Sequence, residues 1–326
     1  MIAMFQVRLR SISMAIITAA IALPCFAADH ATAERALMQG RIDEAVTQLH
    51  QLTAANPKDG AAHLLLCRAF YAEGSIDSAV TECESALNSG LANDSPAQDW
   101  MGRTYGRKAD HAGPLTGLSL AHKVKAAFET AVQLDPANPA AVNDLSEYYI
   151  GAPSIVGGGL DKAAALATRI EGHLPQSAHR MRAMAAEKRK DYATAEREFR
   201  AAVAVANRPD AWTDLGDYFA RRQQPEPSIA ALRKALEADT AKDATLLDIA
   251  LVLESLHREP QLAERVLREY LASNAKTDAA PAFKAHYQLG KLLAAAGNKA
   301  AAKSEYESAL ALAANFAPAR KALQAL

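Results

Sequence analysis

The chain has 326 residues, enough for a large core, and its 36 basic and 37 acidic residues leave a formal net charge of −1. No overall field therefore draws it toward nucleic acid or an anionic membrane. Aromatic residues are only 6% and charged residues 22% of a composition rich in alanine, which favours close-packed helices because alanine loses no side-chain entropy in a helix.

The first 27 residues read as a secretory signal: Arg8 and Arg10 precede an apolar run from Met14 to Leu23, followed by Pro24 and by Cys25-Phe26-Ala27. Cleavage is expected after Ala27. The run is too short to cross a bilayer, and no later run is long enough. A periplasmic protein is the expected result. Secretion from the cell and lipid anchoring at Cys25 are the alternatives, and Pro24 argues against the second. Two cysteines remain, Cys67 and Cys83, in a chain whose compartment permits a bridge. Two buried thiols acting as small apolar residues are the favoured state, and a disulfide is the alternative.

Beyond the signal, the chain repeats. In the segment 211–240, Trp212, Leu215, Gly216 and Phe219 have the spacing W-x2-L-G-x2-aromatic, with Ile229, Leu232, Ala235 and Leu236 following at helical spacing. In the segment 285–312, Leu289-Gly290, Leu293, Gly297, Ala302, Tyr306 and Ala309-Leu310 fall in the same places. Second-helix slots recur at Ala45, Ala79, Val124, Ala163, Ala195, Ser228, Ala263 and Ala302, in steps of 32 to 45 residues. Pro57, Pro136 and Pro175 close several copies. The pattern resembles the tetratricopeptide repeat, a helix–turn–helix unit of about 34 residues. The resemblance implies an all-α, right-handed solenoid of about eight repeats (28–58, 60–92, 94–137, 139–175, 176–208, 209–241, 243–276 and 280–315), with a capping helix over 317–326. Each pair of helices buries its apolar faces against its neighbours. The small residues Cys67, Gly102, Ser146, Ala183, Gly216 and Gly290 let paired helices approach, while Trp100, Trp212, Tyr105, Phe128 and Phe199 read as core or repeat-interface residues.

The same ruler exposes two insertions. From the small residue of the first helix to the slot of the second is normally 12 residues, but Gly102 to Val124 is 22 and Ser146 to Ala163 is 17. Enlarged turns are therefore expected over 106–122 and 150–161, side by side on one edge of the array. They would form a ledge carrying Lys108, His111, His122, Gly157, Gly158 and Gly159. The triple glycine raises the question of a phosphate cradle. That motif needs a preceding strand and usually glycine directly before lysine; here a helix precedes, and Asp161 separates the glycines from Lys162. A flexible turn is expected, with Asp161 capping the next helix.

No catalytic constellation is legible. The nine histidines form no HExxH and no pair with carboxylates at metal-ligand spacing, and no serine sits in a G-x-S-x-G elbow. Neither metal nor cofactor is expected. The resemblance implies a concave groove, lined mainly by first helices, that binds peptides or proteins. Its groove-facing slots carry over to Arg68, Tyr71, Arg103, Arg107, Asn143, Glu147, Arg180, Lys188, Asp217 and Arg221. The arginines favour an acidic or carboxylate-bearing partner. The Lys/Asn arrangement by which some members of the family clamp carboxyl-terminal peptides is not reproduced. The expected function is a non-enzymatic scaffold for a protein or peptide. The alternatives are a subunit of an envelope-assembly or polysaccharide-export machine binding glycan or a membrane component, and an enzyme with its site at the enlarged loops.

Overall fold

A computed structural model describes residues 29–326; the signal segment and Cys25 lie outside the described residues. Among these, the chain forms seventeen α-helices and no strand. Sixteen pair into eight helix–turn–helix units. They are α1 (His30–Met38) with α2 (Ile42–Ala55), α3 (Gly60–Glu73) with α4 (Ile76–Ala86), α5 (Ser95–Ala109) with α6 (Pro114–Leu134), and α7 (Pro139–Gly151) with α8 (Leu160–Ile170). There follow α9 (Pro175–Lys188) with α10 (Tyr192–Ala206), α11 (Pro209–Arg221) with α12 (Pro225–Ala238), α13 (Thr245–Leu256) with α14 (Pro260–Ala272), and α15 (Ala282–Ala295) with α16 (Lys299–Leu312). The seventeenth, α17 (Ala317–Gln324), packs on α15 and α16.

Local chemistry sets the register. Every second helix except α6 begins three residues before its small slot residue, and all eight slot residues are buried. The turn residue five before the slot takes a left-handed φ in five repeats: Gly40, Gly74 and Gly297, but also Lys190 and Gln223. The first helices of the first four repeats start on side-chain caps, as where Asp59 accepts from Ala62 N and Asp94 from Ala97 N at 3.0 and 2.8 Å. The small slots are needed for close approach: a Cβ on Gly102 would lie 2.4 Å from the Phe128 ring, and one on Gly290 2.5 Å from that of Tyr306. A histidine–glutamate pair ties the two helices of the second, fifth and eighth repeats: His63 to Glu82, His179 to Glu198 and His286 to Glu305, at 2.6, 2.8 and 2.6 Å.

Three expectations need correction. The segment 106–122 is not a loop: α5 runs on to Ala109 and α6 starts at Pro114, so only residues 110–113 turn. Leu120, Val124, Ala127, Phe128 and Ala131 make one buried stripe along α6, and Pro114 is tolerated in its first turn because its missing N–H would lack an intrahelical partner there anyway. Lys108 and His122 are therefore helical, and only His111 of that set sits in the turn. Asp161 does not cap α8. The Gly159 carbonyl accepts from Lys162 N and Ala163 N, so the helix starts at Leu160 and Asp161 lies exposed in its first turn. Finally, Cys67 and Cys83 are joined as a disulfide in place of the favoured thiols, their Cα atoms being 5.1 Å apart across the α3–α4 hairpin.

The array also closes on itself. Leu37 and Leu49 of the first repeat share one buried cluster with Phe283, Ala309 and Phe316 of the last. Asp43 accepts from Ala314 N at 3.0 Å, and Arg68 Nε donates to Asp278 at 2.7 Å across 210 residues of chain. A Cβ on Gly40 would lie 2.5 Å from the backbone nitrogen of Ala282. The apolar ends that a solenoid leaves bare thus cover one another, with α17 beside them.

Candidate partner-binding groove

Successive first helices touch along the inner face, from α1·α3 through α11·α13, and bring most of the expected groove residues together. Charges there pair from one repeat to the next. Arg103 binds Asp144 of the next repeat at 2.5 Å and Asp99 of its own helix at 3.1 Å, with its guanidinium 4.8 Å from the Trp100 ring centre. Arg180 bridges Glu147 at 2.8 Å and Asp214 at 3.0 Å, in the repeats on either side. Arg221 reaches Glu187 at 2.8 Å and also pairs with Asp217. Arg68 holds Asp278 and lies 3.7 Å from Glu34.

Four of the five groove arginines are thus spent inside the protein. Arg107 is the exception: it is 53% exposed, and its carboxylate neighbour Asp110 is 3.7 Å away. Burial pushes the Tyr71 hydroxyl upward, against the pull of Arg107 and Arg103, and the ring stands edge-on to Trp100. Head-to-tail closure brings a lysine to the same place. Burial and then the Arg107 guanidinium hold the Lys284 ammonium below the usual lysine range, with Asp278 opposing. Lys284 has no carboxylate within 4.0 Å among the described residues.

Opposite in character is the stretch around α11 and α13. Asp248 has no ion-pair partner among the described residues. Its residue surface is exposed, yet desolvation by the surrounding groove and then the carboxylates of Asp214, Asp243 and Asp217 push it up to about 6. Buried Asp99 is pushed up to about 7, first by burial and then by Asp144, with Arg103 opposing. Asp144 is raised too, chiefly by burial. Two cavities of about 640 and 600 Å³ flank Arg180; Lys188, Asp217 and Arg221 line the first, and Arg103 and Asn143 the second. Arg180 Nη1 and Asn143 Oδ1 are buried without a hydrogen-bond partner among the described residues.

The glycine segment is a closed turn. The Gly157, Gly158 and Gly159 amides donate to the carbonyls of Ser154, Pro153 and Tyr149 at 2.9, 3.1 and 2.8 Å. Lys162 Nζ is bound to Gly157 O at 2.7 Å. A phosphate cradle needs free amides, and these are occupied. Gly157 supplies a left-handed φ of 93°, and a Cβ on Gly158 would lie 1.9 Å from Ala152 O.

Asp99, Asp144, Glu187, Asp214, Asp248, Asp278 and Lys284 were missed by sequence reasoning. A signal existed for some: Arg180–Asp214 and Glu187–Arg221 are each 34 residues apart, one repeat, as charges facing one another across a repeat boundary should be. Nothing local marks Asp278 or Lys284, which reach the groove only through closure.

Models of the tetratricopeptide repeat match residues 36–98, 180–243 and 283–316. Those three segments are similar to the tetratricopeptide repeat. The matched segments fall in the first two, fifth and sixth, and eighth units of the array. No curated protein matches the chain. Among solved structures, the chain is similar to TTC0263, a thermophilic TPR protein of Thermus thermophilus, at 17% identity and a TM-score of 0.46, over 70% of this chain and all of that one. A tetratricopeptide repeat protein of Parabacteroides merdae aligns at 14% identity and a TM-score of 0.41, over 90% of this chain and 98% of that one. The APC/C hetero-tetramer Cut9–Hcn1 aligns at 13% identity and a TM-score of 0.41, over 90% of this chain and 54% of its own. Tetratricopeptide repeats point to a protein-interaction scaffold.

Proposed function

We propose that the protein is a non-catalytic scaffold, exported to the periplasm, that holds a peptide or protein segment in its groove and takes an acidic side chain or carboxylate of that partner between Arg107 and Lys284. The observation carrying this reading is the division of groove charges. Arginines paired to neighbouring repeats hold the array together, whereas Arg107 is half-exposed beside Asp110 alone and its field reaches Lys284, from a repeat far away in sequence, which has no carboxylate within 4.0 Å among the described residues. Asp110 and Asp278 only partly offset the like charges, and a bound carboxylate would offset them further. The amino-terminal signal pattern and the Cys67–Cys83 disulfide support an oxidising, extracytoplasmic compartment.

The test begins with crosslinking and recovery of the partner from the native host. Titration calorimetry then compares wild type, Arg107→Ala with Lys284→Ala, and Arg103→Ala. The double variant should keep its thermal stability and bind at least about tenfold more weakly, with a flatter salt dependence. Arg103→Ala should instead lower stability, by about 3 kcal/mol, because it strands the buried Asp99 and the half-buried Asp144. Unchanged affinity in the double variant would refute the assignment.

A further inference from the structure

The cavity of about 640 Å³ beside Arg180 lies where three first helices end. Ile150 comes from the last turn of α7, Lys188 from the end of α9, and Arg221 and Arg222 from the end of α11. Its volume is that of a small-ligand site, which is usually about 300–1,000 Å³. Met184 and Tyr192, both half-buried, give it apolar surface.

Five cations and four carboxylates line this space, so the lining is one charge positive. The carboxylates are all engaged. Arg180 spans Glu147 and Asp214, and Arg221 spans Glu187 and Asp217. The other three cations, Lys188, Lys190 and Arg222, have no carboxylate within 4.0 Å among the described residues. The Arg222 guanidinium lies 3.4 Å from the centre of the Tyr192 ring. Such stacking engages the face of a guanidinium and leaves its N–H edge to an acceptor.

Lys190 carries a second signal. Its φ of 63° is left-handed, at the turn position that Gly40, Gly74 and Gly297 fill in the first, second and eighth repeats. A side chain there costs free energy that glycine avoids. A cation at a helix C-terminus is favourable in itself, which serves Lys188 and Arg222. Lys190 sits two residues beyond α9, in a conformation that glycine would hold at lower cost. Strain of this kind points from the backbone to a use for the side chain.

We propose that this cavity binds a small apolar acid, an aromatic or aliphatic group bearing one carboxylate. Lys188, Lys190 and Arg222 hold the acid group, and Met184 and Tyr192 meet the apolar part. One negative charge balances the lining, and the half-buried side chains favour an apolar body over a wholly hydrophilic anion. The site is built by the fourth, fifth and sixth repeats, apart from Arg107 of the third and Lys284 of the eighth. It does not rest on the partner assignment above.

The experiment is fluorescence titration of the protein with 8-anilinonaphthalene-1-sulfonate, whose sulfonate stands for the carboxylate, beside its uncharged counterpart N-phenyl-1-naphthylamine. Wild type should bind the anionic dye at least about tenfold more tightly than the neutral one, and more weakly as salt rises. 4-Phenylbutyrate should displace the anionic dye, and the uncharged 4-phenylbutyramide should not. Lys188→Gln/Arg222→Gln should lose at least about tenfold in affinity for the anionic dye. Lys190→Gly should lose several-fold while its melting temperature holds or rises, which a lysine with only a structural role would not do. That variant keeps the test valid if the double variant folds poorly. Equal affinity for the two dyes, or full retention of dye affinity by both variants, overturns the proposal. So does equal displacement by acetyl-Ala-Glu-Phe-Ala-amide, which would make the cavity a seat for an acidic segment of a peptide chain.

Discussion

Closure of the array can be tested at one glycine with two internal controls. Gly40, Gly74 and Gly297 occupy the same turn position in three repeats, with φ of 76°, 94° and 80°. Alanine in that left-handed region costs about 1–2 kcal/mol at any of them. Their surroundings differ. A Cβ on Gly74 or Gly297 meets nothing within 4 Å, whereas one on Gly40 would lie 2.5 Å from Ala282 N and 3.2 Å from Pro281 C. Both contacts are backbone atoms of the last repeat and cannot swing away as a side chain would. The overlap should add about 1–3 kcal/mol, the usual cost of an inserted methyl group in packed surroundings. The readout is urea unfolding followed by far-UV circular dichroism, taking the first transition, because repeat arrays need not unfold in two states. Gly74→Ala and Gly297→Ala should fall together, and Gly40→Ala clearly below them. Small-angle scattering should show a larger radius of gyration for Gly40→Ala alone. Three variants of equal stability, with identical scattering, would refute contact between the first and last repeats.

The disulfide spans 16 residues of chain, and closing a loop of that size stabilises by about 3 kcal/mol. Reduction should lower the unfolding midpoint of wild type and leave that of Cys67→Ala/Cys83→Ala untouched; alkylation without reduction, read by mass spectrometry, should label neither cysteine. Asp99 supplies a pH test. Its folded value of about 7 lies above the ordinary 3.8, so its contribution to stability is complete below about pH 4 and is lost as pH rises through about 7. Asp99→Asn should therefore gain on wild type between pH 5 and pH 8, by on the order of 2–4 kcal/mol; a stability difference that stays flat with pH would show that burial does not penalise this carboxylate.

Local sequence determined the repeat. Small residues at Cys67, Gly216 and Gly290, each followed 12 residues on by a buried slot residue, mark where two helices must approach. That information survives in one dimension because every unit solves the same packing problem with its neighbours. The two insertions were legible by the same ruler, as a surplus of residues. Whether the surplus would be loop or helix depended on the apolar stripe from Leu120 to Ala131 finding a surface to cover, and the segment 114–122 became the first turns of α6. The groove divides in the same way. The slot for Arg180 could be read from the repeat, but the carboxylates that engage it belong to the flanking repeats. Arg107 acts on Lys284 only because the last repeat returns to the first, through Gly40, Asp43 and Arg68. Such contacts join residues more than 200 positions apart. They follow from small rotations accumulated over eight repeats, a quantity no single motif encodes.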